Sequence, residues 1–194
     1  QNKPQISAKS VELGMLRIET GAELGFAKDL SVTGYEGEGR LVSTDNTNFT
    51  VNSAASVTIQ EFGVVSGSVA NIYNSSLPGV DVIINNYMTV ADISLNTYGN
   101  VTVNSNINAK NVSVNGTLTV NGSIDASGNV TSELGSAIVF TGSGRSLTCG
   151  GNLRIFGSIT APETVILTGD APVVYGNIDF NTLNASACTK VTFD

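Results

Sequence analysis

Apolar side chains in the middle of the chain come as alternate pairs at short, even steps: Val101 and Val103, Val112 and Val114, Leu118 and Val120, then Ile124 with Ala126. One polar residue sits inside each pair, the period-two pattern of a strand buried on one face. From Val112 to Leu118 to Ile124 the step is six residues, and an even step keeps every pair on the same face. Asn115-Gly116 and Asn121-Gly122 fall between the pairs, which ordinarily signals two-residue hairpins. Hairpin pairing fails here. A turn at Asn115-Gly116 would set Val114 opposite Thr117 and Ser113 opposite Leu118, so each face would mix apolar with polar side chains. The pattern fits strands that wrap a common axis, with Asn-Gly at corners where both residues tolerate positive φ.

The same pattern runs through most of the chain. Ile107 and Val130 flank the central pairs, and after a disturbed segment the register returns with Leu153 and Ile155, Ile159, Val165 and Leu167, Val173, Ile178 and Phe180, and Leu183. In the first hundred residues, "MLRIET", "AELGFA", "DLSVTG", "NFTVNS" and "SVTIQE" are built alike at a wider spacing, as longer corners require. Short strands at regular spacing mark an all-β repeat architecture. The spacing predicts a parallel β-helix (β-solenoid) of about ten coils of about 18 to 20 residues, a rod on the order of 50 Å long. Val112, Val114, Leu118, Val120, Ile124, Leu153, Ile155, Val165, Leu167 and Ile178 are its expected core. Residues 1–13 read as an N-terminal extended arm or cap, and residues 14–194 as one solenoid domain. No window makes a convincing amphipathic helix; the best candidate for a short capping helix, "SAKSVELGMLRIE" at 7–19, carries Gly14 in its middle and a β-branched residue near its end. The alternative fold is a jelly-roll, pilin-like β-sandwich that completes its sheet with a neighbour's strand.

Composition narrows the function classes. The formal net charge is −7, whereas nucleic-acid binding needs a basic stripe. Residues 62–160 carry only Asp81, Asp92, Lys110, Asp125, Glu133, Arg145 and Arg154 as charges. That stretch is a neutral wall of amides and hydroxyls, suited to stacking against other copies or to holding carbohydrate. No apolar run is long enough to span a membrane, and no cofactor-binding motif is present. Gln1 begins directly with polar residues, as in a mature chain whose export signal has been removed.

Candidate chemistry is sparse. With no histidine in the chain, Ser-His-Asp and Cys-His arrangements are excluded, and two cysteines alone make no zinc site. "GYEGEG" at 34–39 precedes no helical pattern, so it reads as a wide corner rather than a phosphate loop. Asp81 with Asp92, or Asp170 with Asp179 near Arg154, are the carboxylate pairs that glycoside chemistry would need. Thr102, Ser113 and Thr119 do not look like one position per coil, so a threonine ladder for ice is not expected. Cys149 and Cys188 lie about two coils apart and are a disulfide candidate in an oxidising compartment. Asn48, Asn74, Asn100, Asn111, Asn115, Asn121, Asn129 and Asn184 each begin an N-x-Ser/Thr glycosylation sequon. Those from Asn100 to Asn129 sit at expected corners, where a glycan would point outward or where Asn simply serves the turn.

The stretches "NVTVN" (100–104) and "NVSVNGTLTVNGSIDASGNV" (111–130) resemble the coils of parallel β-helix surface proteins, the filamentous-haemagglutinin-like adhesins and autotransporter passenger domains. The resemblance implies export, a rod shape and a role in adhesion or surface structure, with no catalytic residues. The expectation is a secreted, non-catalytic structural subunit of a cell-surface fibre that assembles as a homopolymer. The alternatives are a carbohydrate-binding adhesin and a β-helix polysaccharide lyase or hydrolase. Ile6 and Ala8 in the arm, with Val191 and Phe193 at the other end, are the assembly candidates, the arm either bridging subunits or capping its own chain.

Overall fold

The structure is a computed structural model describing residues 5–6, 10–64, 69–88, 94–160 and 162–194. Those residues form twenty-two strands and no helix. All pair in parallel with strands of adjacent coils, in a 17-stranded and a 5-stranded sheet. The result is a β-solenoid of about nine turns, on the order of 43 Å along its axis at about 4.8 Å per coil. A jelly roll requires antiparallel strands, so the all-parallel pairing overturns the pilin-like alternative.

The chain winds past three walls. On the first, Val11, Leu30, Phe49 and Ile72 are successive register partners, and the column continues through Thr97, Val114, Ser132 and Ile155. On the second, Val57, Val82, Val101, Leu118, Ile138 and Ile159 stack. The third holds Leu24, Leu41, Phe62 and Tyr87 in the N-terminal half. In the C-terminal half it holds Ile107, Ile124, Leu147, Val165 and Leu183. Coil length varies with what the core must hold, as contacts between equivalent positions at separations of 17 to 25 residues show. The N-terminal half encloses aromatic side chains, with ring centres of Phe26 and Phe49 at 6.1 Å, Phe49 and Phe62 at 5.8 Å, and Phe62 and Tyr87 at 6.5 Å. The C-terminal half closes over Val, Leu, Ile and Ala.

Nine of the ten expected core residues are buried. Ile178 is only half-buried, packed against the core cluster. Val173 proves to be out of phase: Val174 faces Leu153 and is buried, while Val173 is half-buried. The corner before it has the opposite parity to the six-residue step, which swaps the faces. The capping helix is also overturned, since Ser10–Arg17 is a strand in register with Asp29–Glu36. The solenoid therefore begins before residue 14, and the expected boundary between arm and domain falls inside that strand.

Asn115-Gly116 is a bend within a continuous strand, Val112–Val120, rather than a break between two. Gly116 has φ +127° and stacks on Gly99 at φ +74°. A Cβ on Gly116 would come within 2.4 Å of the Gly99 carbonyl oxygen. The corner needs glycine on both coils, for conformation and for room.

This phase makes a direct test. Leu118, fully buried, and its half-buried neighbour Thr119 point to opposite faces. Replacing Leu118 by Asp should cost about 3 to 5 kcal/mol, and Thr119 by Ala under about 0.5 kcal/mol. Chemical denaturation measures both, and equal losses would contradict the phase.

Candidate functional site

The outer faces of the walls are where polar side chains are brought together. Because register partners repeat every coil, outward side chains of one type line up in columns. Asn85 Nδ2 donates to Gln60 Oε1 at 2.7 Å, Asn104 Nδ2 to Asn85 Oδ1 at 2.7 Å, and Asn121 Nδ2 to Asn104 Oδ1. A second column serves a corner. Asn111 Oδ1 accepts the Asn129 backbone N–H at 2.9 Å, Asn129 Oδ1 that of Asn152 at 2.7 Å, and Asn152 Oδ1 that of Val173 at 3.0 Å. On the first wall Asn96 Nδ2 donates to Asn71 Oδ1 at 2.8 Å. Beside them Tyr73 and Tyr98 stack with ring centres 4.1 Å apart. Burial, then the hydrogen bond with Tyr98, pushes the Tyr73 phenol up to about 12. The two rings stack face to face, each half-exposed on the wall.

The second wall presents an uncharged column. Thr58, Ile83, Thr102, Thr119, Val139 and Thr160 are consecutive register partners pointing outward. Thr102 and Thr119 thus do share one position per coil, contrary to the expectation from spacing, while Ser113 stacks between Asn96 and Thr131 on the first wall. Unequal coil lengths hid the alignment. On the third wall the charges are laddered, with Arg40 between Glu61 at 2.8 Å and Glu23 at 3.5 Å.

The expected carboxylate pairs are Asp81 with Asp92 and Asp170 with Asp179. Asp92 lies outside the described residues, and Asp170 accepts the Thr189 hydroxyl at 2.9 Å. Asp179 lines a cleft of about 460 Å³ with Glu163, Thr160 and Phe180 instead. Glu163 accepts the Gly144 backbone N–H there. Arg154 lies over the Tyr175 ring, 5.4 Å from its centre. Among the described residues no three His, Cys, Asp or Glu side chains gather as a metal site, and no helix is long and apolar enough to cross a membrane.

The cysteine expectation is overturned. Cys149 and Cys188 are both free. Cys149 is the register partner of Leu167, and the Cys188 thiol donates to the Leu167 carbonyl at 3.3 Å. A whole coil lies between the two thiols, beyond the reach of a disulfide.

The sequons divide by how their amides are used. Asn48 Nδ2 donates to Asp29, Asn111 Nδ2 to Ser94 and Asn121 Nδ2 to Asn104. Asn74 Nδ2 donates to the carbonyls of Val80 and Asn100, each at 2.7 Å. Asn100 is half-buried, and Asn115, Asn129 and Asn184 are exposed. Of the assembly candidates, Ala8 lies outside the described residues. Gln5–Ile6 pairs with Gly25–Phe26 of its own chain, Val191 is half-buried, and Phe193 is 63% exposed. No protein-family model, curated protein or solved structure matches the chain.

Burial raises the Cys149 pKa above the ordinary thiol range, whereas Cys188 is only half-buried. Alkylation at pH 8 followed by mass spectrometry should therefore label Cys188 at least tenfold faster, with Cys149 reacting only on unfolding. Equal rates, or a disulfide-linked peptide from the native protein, would contradict the stacking of these coils.

Proposed function

We propose that the chain is a secreted, non-catalytic structural subunit of an extracellular cell-surface fibre, assembling head to tail. The observation that supports it is the directional parallel ladder that joins every coil to the next. Ile178, Phe180, Leu183 and Val191 continue the core only half-covered, and Phe193, register partner of the buried Val174, is 63% exposed. At the opposite end Val11, Leu13 and Leu24 are half-buried and Met15 is 57% exposed. A parallel ladder is directional, so its two ends present different and complementary rows of N–H and C=O groups. A first coil laid on a last coil continues the ladder, and such a head-to-tail contact does not close on itself. The described part of the N-terminal arm, Gln5–Ile6, pairs within its own chain, which supports a coil-on-coil contact over an exchanged strand.

The carbohydrate-adhesin reading draws on the asparagine columns beside Tyr73 and Tyr98, whose amides and half-exposed rings suit a hydroxyl-rich ligand. It and the fibre reading both leave the walls non-catalytic, and the uninterrupted parallel ladder favours the fibre.

Negative-stain microscopy at rising concentration should show rods that lengthen in steps of one subunit. Replacing the exposed Phe193 by Asp should leave the thermal transition within a few degrees and abolish lengthening. Rods of a single length at every concentration would overturn the proposal.

A further inference from the structure

Asn184 stands apart from the other sequon asparagines in how its amide is held. It closes the third-wall strand Thr182–Asn184 with its side chain exposed, and its register partner one coil below is Ile166. Its Oδ1 accepts two hydrogen bonds from its own sequon, the Ser186 backbone N–H at 3.1 Å and the Ser186 hydroxyl at 2.8 Å. With the oxygen turned into this local turn, Nδ2 is left facing solvent. The hydroxyl and the amide, the two groups that define a sequon, lie together on one exposed edge.

The other sequons are built differently. Asn48, Asn74, Asn111 and Asn121 spend Nδ2 on a partner that joins one coil to another or braces a corner. A sugar on that nitrogen replaces one of its two hydrogens and forces bulk between coils about 4.8 Å apart. Asn74 does accept the Ser76 backbone N–H, but both its amide hydrogens are engaged. Asn129 is exposed, but its Oδ1 is held by the Asn152 N–H of the next coil and not by its own sequon, with Gly151 so close that a Cβ there would lie 2.4 Å from that oxygen. The hydroxyl residue of the Asn115 sequon, Thr117, belongs to the second wall in register with Ala137.

We propose that Asn184 is the chain's N-glycan acceptor, with the Ser186 hydroxyl positioning its side chain. The glycosyl donor is a sugar activated as a phosphate or pyrophosphate ester. Nδ2 bonds to the anomeric carbon, the carbon–oxygen bond to phosphate breaks and the phosphate leaves with its electron pair. One Nδ2 proton passes to the transferase or solvent, and nothing is oxidised or reduced. A glycan here projects sideways from the wall and leaves the end of the coil open. The proposal rests on export of the chain, as the fibre reading does.

The test is secretion of the full chain from an N-glycosylating cell line, with intact mass and glycopeptide mapping before and after glycosidase. One glycan mass is expected on Asn184, lost in Asn184→Gln and Ser186→Ala, kept in Ser186→Thr, and unchanged in Asn111→Gln and Asn121→Gln. A bare chain, or a glycan on a ladder asparagine with Asn184 empty, overturns the proposal. Filament formation is scored by microscopy on the same samples. Filaments without a glycan sink this proposal alone, and a glycan on Asn184 without filaments sinks the fibre reading alone.

Discussion

The parallel hydrogen-bond ladder between coils is the constraint on which the rest of the structure depends. It fixes each residue against one particular residue a coil away, so any side chain is stacked between two others about 4.8 Å off. Inside, that turns short apolar pairs into continuous columns such as Val101–Leu118–Ile138–Ile159. Outside, it aligns amides that satisfy one another, as from Gln60 through Asn85 and Asn104 to Asn121. Gly99 and Gly116 show its cost, because a Cβ on Gly116 would strike the Gly99 carbonyl and one on Gly99 the Asn74 carbonyl of the coil before. Thr97 and Ser132 show it too. Each falls in an interior column on either side of Val114, with a hydroxyl that has no partner.

The two halves of the rod solve the same packing problem with different side chains. Where the core holds the rings of Phe26, Phe49, Phe62 and Tyr87, the coils enclose more volume, and long strands such as Val57–Val64 bend from one wall to the next. Where it holds Val, Ile and Ala, three-residue strands such as Ile107–Ala109 and Ile124–Ala126 suffice. This half also carries the asparagine corners, whose Oδ1 atoms receive backbone N–H groups of the next coil. They keep the corner N–H groups bonded where the sheet turns away.

Much of this was legible in the sequence because the side-chain period of two survives any even corner. Val112, Val114, Leu118 and Val120 declare the inner face without knowledge of their partners. What the chain conceals is which coil each residue meets, since that depends on summed corner lengths. The Thr102–Thr119 pairing was missed for this reason, and so was the separation of Cys149 from Cys188 by the Leu167 coil. Val173 failed differently, through a single corner of opposite parity. The use of each sequon amide was also illegible, because the partners of Asn111 and Asn74 lie one coil away in space and 17 to 26 residues away in the chain.

The central claim is that successive coils stack in parallel and in register along one axis. Thr58 and Thr160 occupy the same outward column five ladder steps apart, or about 24 Å. Pulsed electron spin resonance between nitroxides at Thr58→Cys and Thr160→Cys, with Cys149→Ala and Cys188→Ser removing the native thiols, reads that separation directly. The stacked solenoid requires one narrow distribution centred near about 24 Å. A broad distribution, or a distance beyond about 35 Å, would contradict it, because a column slipped or unstacked by even two coils no longer holds these positions on one line.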